Sequence, residues 1–175
     1  MTAESVDVDA AIRRYQAGAL GASGESPEKV DAVHQLELHL VDPAAEAFLV
    51  SVLRNSAEYD LARVEICKAL HAWPSGRLGL GYAAALVEVL HSEEDILIKQ
   101  WAARALRAFR DRDEVAHALA VAVADADEDP DVRHNAVASL RGVLLCRADR
   151  VLLGRVVSSG ALGLAVTSLL REGAQ

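Results

Sequence analysis

The sequence predicts an all-α fold in which about five antiparallel helix pairs stack into an α-solenoid, as a single domain over residues 1–175. Three observations favour this class. Hydrophobic residues make up 52% of the chain and aromatic residues only 4%, and small aliphatic side chains suit close packing of helices. No alternating run is bounded by Asn-Gly or Asp-Gly, the strongest local sign of a β-hairpin. One helical pattern also returns four times along the chain.

The four copies of this pattern align on a basic residue, which we call the landmark. Each landmark is followed seven residues later by a leucine, and successive leucines are 34, 36 and 34 residues apart. A period of this length is typical of stacked helix pairs. The landmarks are Lys29, Arg63, Lys99 and Arg133, and the leucines are Leu36, Leu70, Leu106 and Leu140.

The clearest copy reads Asp131-Val132-Arg133-x-x-Ala136-x-x-x-Leu140. Over residues 26–146 this pattern resembles HEAT repeats, especially the short bacterial HEAT-like proteins of the phycobilisome-lyase type. The resemblance implies a right-handed, ARM-type superhelix whose second helices line the concave surface. It also implies a structural Asp–Arg ladder between repeats, with lysine landmarks as departures because lysine lacks the forked guanidinium. The implied ladder residues are Asp60, Arg63, Lys99, Asp131 and Arg133.

Cap residues and prolines mark the helix starts in the first half of the chain. Glycines at 18, 21 and 24 end a first helix over residues 6–20. Ser26-Pro27 starts a helix that runs to about residue 40, and Asp42-Pro43 starts the next one. Residues 55–59 form a turn, after which Asp60 is expected to cap a helix over residues 60–72.

The second half follows the same rules. Trp73-Pro74 breaks the chain before a helix over 78–91, which Gly79 and Gly81 weaken at its start. Helices over 96–110, 114–124 and 132–146 follow, and a final pair is predicted over 149–157 and 162–170. The five pairs therefore cover approximately residues 5–40, 42–72, 77–110, 112–146 and 148–171.

Charge and cysteine content limit the compartment and the partners. The formal net charge is −8 and the pI about 5.2, which makes nucleic acid an unlikely partner because dedicated binders carry a basic excess. Cys67 and Cys146 have no metal-binding spacing and are expected to be small core residues in a reducing cytosol. No signal peptide or membrane span is recognisable, so the predicted location is cytoplasmic. Only three of the 18 basic residues are lysines, which favours a GC-rich bacterial source.

The repeat alignment separates a buried face of the second helices from an exposed one. Positions three, four and seven after the landmark are mostly apolar and should face the core. Positions one, five and eight share another face, which becomes basic along the stack. Trp101 lies at its border, either as a binding anchor or as a buried space-filler. The candidate binding residues are Lys68, His71, Trp101, Arg104, Arg107, His134 and Arg141. The alternative is that these charges only complement helix dipoles and solvate the surface.

No motif in the sequence supports catalysis, a cofactor or a metal site. Gly79-x-Gly81 does not follow a strand, so it is not a nucleotide signature. The six histidines fall at unrelated repeat positions. Among enzymes built on HEAT-like repeats, deoxyhypusine hydroxylase needs His-Glu dipeptides that this chain lacks. Alkylpurine DNA glycosylases need a basic groove with aromatic residues, which only Trp101, Arg104 and Arg107 suggest.

The sequence therefore favours a non-catalytic protein-interaction module, acting as an adaptor, a scaffold or an immunity-type inhibitor through its second helices. The partner is expected to be another protein. The alternative is a nucleic-acid-binding or DNA-repair protein that uses a local basic groove. A third possibility is a homo-oligomer joined through its end helices, since the last helix is apolar and contains glycine.

Overall fold

The computed structural model describes residues 7–21, 25–74, 77–92 and 95–172. These residues form ten α-helices and no strand, so the all-α prediction is confirmed. None of the described helices has the length and apolar character needed to cross a membrane. The helices are α1 Val8–Ala17, α2 Pro27–Leu36, α3 Pro43–Arg54, α4 Asp60–Ala72, α5 Leu80–His91, α6 Ile96–Ala105, α7 Asp113–Ala124, α8 Pro130–Leu140, α9 Arg147–Gly154 and α10 Gly160–Glu172.

The helices pack in two layers, and consecutive helices contact each other in the five pairs α1–α2 to α9–α10. In the odd layer, each helix contacts the next one in the series α1, α3, α5, α7 and α9. In the even layer, α2, α4, α6, α8 and α10 do the same. The core lies where the layers meet. Positions three, four and seven after every landmark are buried, which confirms the predicted core face.

Ser26 and Asp42 occupy the cap positions expected from the sequence, although Ser26 makes no side-chain cap hydrogen bond. Asp7, Asp42, Asp95 and Asp129 each accept a backbone N–H of the following turn. The predicted cap Asp60 is wrong, because Tyr59 occupies the cap position and Asp60 is the first residue of α4. The cap lies four residues before the landmark in α4, α6 and α8. These three helices therefore start at the same position relative to the landmark.

Several helix ends differ from the prediction. The helices predicted to reach residues 40 and 110 finish earlier as α-helix and close with 3₁₀ turns, Glu37–His39 and Leu106–Phe109. The helix predicted over 132–146 stops at Leu140, because Gly142 adopts a φ of 75° that breaks it. Residue 6 of the predicted first helix lies outside the described residues.

The early end of α8 changes the environment of one cysteine. Cys146 is exposed at the start of α9 and is not a core residue as predicted, whereas Cys67 is buried in α4. Burial raises the pKa of the Cys67 thiol to about 12. Cys67 therefore acts as a small apolar residue of the core.

Glycine permits two close helix contacts. Gly81 donates its backbone N–H to Glu46 Oε1 at 3.0 Å, and a Cβ at Gly79 would overlap the same carboxylate. The α3 side chain therefore caps the start of α5, which has no cap of its own. In α10, a Cβ at Gly163 would overlap the carbonyl of Val157. Glycine lowers the helix propensity at these positions, but it also allows the close contacts that hold α5 and α10 in place.

Candidate functional site

A cation–aromatic cluster occupies the centre of the even layer. The Trp101 ring, on α6, is half-buried against the core. Lys68 Nζ from α4 lies 5.4 Å from the ring centroid, and the guanidinium carbon of Arg104, one turn further along α6, lies 4.8 Å from it. His71 meets the ring edge-on at 6.2 Å. Four of the seven candidate residues therefore lie together.

The cluster belongs to a ladder of contacts that crosses the even layer, which we call the surface ladder. In three successive repeats, the residue five positions after the landmark contacts the residue two positions after the next landmark. His34 Nε2 lies 3.5 Å from Glu65 Oε2, Lys68 lies over Trp101, and Arg104 Nε donates to Asn135 Oδ1 at 3.1 Å. The surface ladder therefore joins α2, α4, α6 and α8 through equivalent positions.

Arg104 is held from several directions although its side chain is exposed. Its guanidinium lies at the Trp101 ring, and its Nε is bonded to Asn135. Its backbone carbonyl accepts a hydrogen bond from His71 Nδ1 at 3.1 Å. A guanidinium held in this way loses little conformational entropy when it binds a further group.

Lys68 is tied into the same cluster by a carboxylate. Its ammonium donates to Glu65 Oε1 at 2.7 Å, while the other oxygen of Glu65 faces His34. Glu65 therefore offsets part of the positive charge on α4. Arg104 forms no comparable ion pair among the described residues.

The other three candidates lie outside this cluster. Arg107 is exposed beyond the end of α6. His134 is exposed, and its Nδ1 donates back to the Pro130 carbonyl at 2.7 Å within α8. Arg141 is exposed just after α8, and its carbonyl accepts a hydrogen bond from Arg110 Nη1 at 2.8 Å. The structure therefore provides a compact cluster with separate flanking charges, rather than one continuous stripe.

Glu65 and Asn135 belong to the surface ladder, and the sequence analysis did not select them. Both lie two positions after a landmark, as does Trp101, and that shared register was the available signal. The predicted exposed face used position one instead, but Val64 at that position is buried. Position two points to the neighbouring repeat, and this becomes visible only once the helices are packed.

The landmarks themselves serve the packing of the helices. Arg63 Nη2 donates to the Leu53 carbonyl at 2.8 Å, and Arg133 Nε donates to the Val123 carbonyl at 3.0 Å. Both carbonyls lie in the last turn of the preceding helix, where helical partners are lacking. Lys29 pairs instead with Glu58, and Lys99 with Glu128.

The observed contacts therefore differ from the Asp–Arg ladder that the resemblance to HEAT repeats implies. Asp60 is largely exposed, with its Oδ1 4.0 Å from Arg63 Nη1 of the same helix. Asp131 is exposed at the start of α8. The carboxylates sit at helix starts, whereas the arginines point back to the preceding helix end, so no described contact runs from either aspartate to the next repeat.

A second polar cluster joins α7 and α9 in the odd layer. Asp149 is buried, with Oδ1 2.7 Å from His117 Nδ1 and Oδ2 3.2 Å from Cys146 Sγ. The thiol donates to the carboxylate rather than to the imidazole, so His117 is not placed to accept the thiol proton. Within the described residues, no group of three or more His, Cys, Asp or Glu side chains is arranged to hold a metal ion.

Comparison with known proteins adds no relative: no protein-family model matches the chain, and no curated protein shows significant similarity to it.

Proposed function

We propose that this protein is a non-catalytic protein-interaction module of the HEAT-like class. The repeat period and the five stacked helix pairs support a solenoid, and we infer a right-handed superhelix with the even layer on its concave side. An adaptor, a scaffold or an immunity-type inhibitor in the bacterial cytosol fits this description. Function on such a scaffold depends on the surface side chains rather than on the fold.

The observation that carries the proposal is the Trp101 cluster. Tryptophan and arginine are the residues most enriched among those that dominate binding energy at protein interfaces. Trp101 is half-buried, so it offers a rigid apolar edge, and Arg104 beside it is exposed and held in place. Together they supply apolar area and a directional charge, the two properties that give affinity and register at an interface.

A capture experiment with a charge-reversed surface tests this function. The tagged protein is incubated with lysate of its native organism, next to the double variant Arg104→Glu/Arg107→Glu. The matched control is Arg14→Glu/Arg155→Glu, which reverses two exposed arginines at the ends of odd helices α1 and α9. Circular dichroism confirms that all three proteins keep their helix content.

A protein captured by the wild type and by the control, but lost with the even-layer variant, is the expected result. Equal capture by all three proteins would remove the even layer from the proposal. Recovery of nucleic acid that salt releases would instead favour the DNA-binding alternative, because phosphate contacts weaken steeply with ionic strength.

A further inference from the structure

The guanidinium of Arg104 presents one free recognition edge. Its Nε donates a hydrogen bond to Asn135, and Trp101 lies against the guanidinium. Among the described residues, none accepts a hydrogen bond from its two Nη groups, and the side chain is exposed. Two parallel N–H donors at this spacing match the two oxygens of a carboxylate.

The charge around Arg104 also fits an anion. Arg107 follows one turn later and is exposed, and the nearby Lys68, whose charge Glu65 offsets in part, lies at the same ring. The protein's densest acidic segment, residues 125–131, leads into the start of α8, and its Glu128 pairs with Lys99 of α6. Lys99 lies five residues, about 7.5 Å of helix rise, before Arg104 on α6. The charge of Glu128 is already paired there, whereas neither Arg104 nor Arg107 forms an ion pair among the described residues.

We propose that the partner presents an acidic protein segment to the even layer, with one carboxylate accepting both Nη groups of Arg104. This inference rests on the proposed function and specifies its partner. A single protein carboxylate suits the surface better than a phosphate backbone, because it needs one fork, whereas a backbone brings a row of negative charges to a chain that carries −8. The Trp101 edge borders the bound carboxylate, so binding changes the environment of its indole.

The test uses the intact chain with Trp73→Phe, so that fluorescence reports Trp101 alone. Trp73 Nε1 is buried without a hydrogen-bond partner in the described structure, so phenylalanine removes no bond. The probe is a short blocked peptide in which glutamate alternates with serine. A peptide with glutamine in place of glutamate is the uncharged control, and a single-stranded DNA oligonucleotide is the phosphate control.

Two matched substitutions distinguish a paired hydrogen bond from Arg104 to a carboxylate from general electrostatic attraction. Arg104→Lys keeps the charge and removes the paired donors, and Arg107→Lys makes the same change one turn away. We expect the glutamate peptide alone to change Trp101 fluorescence. We expect Arg104→Lys to weaken its binding about tenfold, equal to about 1.4 kcal/mol, and Arg107→Lys to weaken it about twofold or less.

The remaining outcomes overturn the proposal in distinguishable ways. Equal effects of the two lysine variants would show general attraction without a fork, and protein binding could stand. Failure of the glutamate peptide while the lysate partner still binds would exclude an acidic segment and leave the proposed function intact. Binding of DNA but not peptide would overturn both, and salt-sensitive self-association in light scattering would make a second copy the occupant.

Discussion

The lysine landmarks and the arginine landmarks occupy equivalent positions yet make different contacts. Lys29 and Lys99, in the first and third helix pairs, reach forward to Glu58 and Glu128 in the next pair. Arg63 and Arg133, in the second and fourth pairs, reach back to the last turn of the odd helix in their own pair. Lysine is a hydrated point charge that pairs here with a carboxylate, whereas each landmark arginine donates one guanidinium N–H to a neutral carbonyl.

This alternation makes two helix pairs the structural unit. Lys99 follows Lys29 by 70 residues, and the same interval separates Glu58 from Glu128 and Arg63 from Arg133. Each glutamate also accepts the backbone N–H of the next residue at 2.9 Å. The lysine of one pair is thereby bonded to the segment that starts the even helix of the next pair.

The Trp101 cluster lies at the junction between two such units. There, Lys68 meets the ring of Trp101 at the surface, and Arg54 pairs with Glu88 on the odd layer at 2.7 Å. Arg54, Glu88 and Lys68 are all more exposed than the two side chains of the Lys99–Glu128 pair. The comparison indicates that buried pairs hold each unit together, while the candidate binding surface occupies the more exposed junction.

The largest expected effect on stability comes from removing an arginine landmark, and it should be larger for Arg63 than for Arg133. Arg63 is 0% exposed and Arg133 only half-buried, so Arg63→Ala leaves both a cavity and a buried carbonyl without its donor. We expect a loss of about 3–4 kcal/mol for Arg63→Ala and about half of that for Arg133→Ala. Urea unfolding followed by circular dichroism measures both. Equal losses would mean that burial does not distinguish the two landmarks.

Removing a lysine charge should come next. Lys99→Met keeps most of the aliphatic stem but leaves Glu128, only 10% exposed, without its cation. We expect a loss of about 2–3 kcal/mol at neutral pH. The double variant Lys99→Met/Glu128→Gln should recover at least half of it, because no buried charge remains. A double variant as unstable as the single one would argue against the ion pair.

The first lysine–glutamate pair should also make stability depend on pH. Burial alone would raise the pKa of Glu58, but hydrogen bonds from Lys29 and the Tyr59 N–H outweigh it, so the pKa lies below its ordinary 4.5. A carboxyl with a lowered folded pKa stabilises the protein above its unfolded pKa, and this stability is lost as the pH falls through the folded value. Glu58→Gln should therefore flatten the fall in unfolding free energy below about pH 4.5.

A matched background checks the cause of that slope. In the Lys29→Met protein the main lowering hydrogen bond is absent and burial still raises the pKa of Glu58, so Glu58→Gln should no longer flatten the acid fall. If the two backgrounds show the same change, Lys29 is not the source of the pKa shift.

The smallest effect should follow from exchanging the landmark types. Lys99→Arg retains a cation near Glu128, and we expect a change within about 1 kcal/mol. Arg133→Lys should cost slightly more, because lysine has no Nε–H donor at the position from which Arg133 bonds the Val123 carbonyl. Thermal unfolding of both variants would measure the difference. A reversed order would show that the neighbouring groups, and not the landmark chemistry, set the alternation.

The sequence by itself determined the helices and their buried faces. Helical periodicity is a local property, so the positions three, four and seven after each landmark were predicted correctly from the spacing of apolar residues. Ser26-Pro27 and Asp42-Pro43 marked the starts of α2 and α3 for the same reason. Trp101 and Arg104 were also selected from their register alone, as was the basic character around them.

Only the tertiary structure decided the partners of these side chains. Whether a landmark reaches a carbonyl or a carboxylate depends on the distance to another helix, which no local pattern contains. The contact from position five to position two, the role of Asn135 and the cap that Glu46 supplies to α5 all cross between repeats. Helix ends were misjudged at Leu106 and Leu140, because 3₁₀ closure and the φ of Gly142 depend on how the chain turns into the next helix.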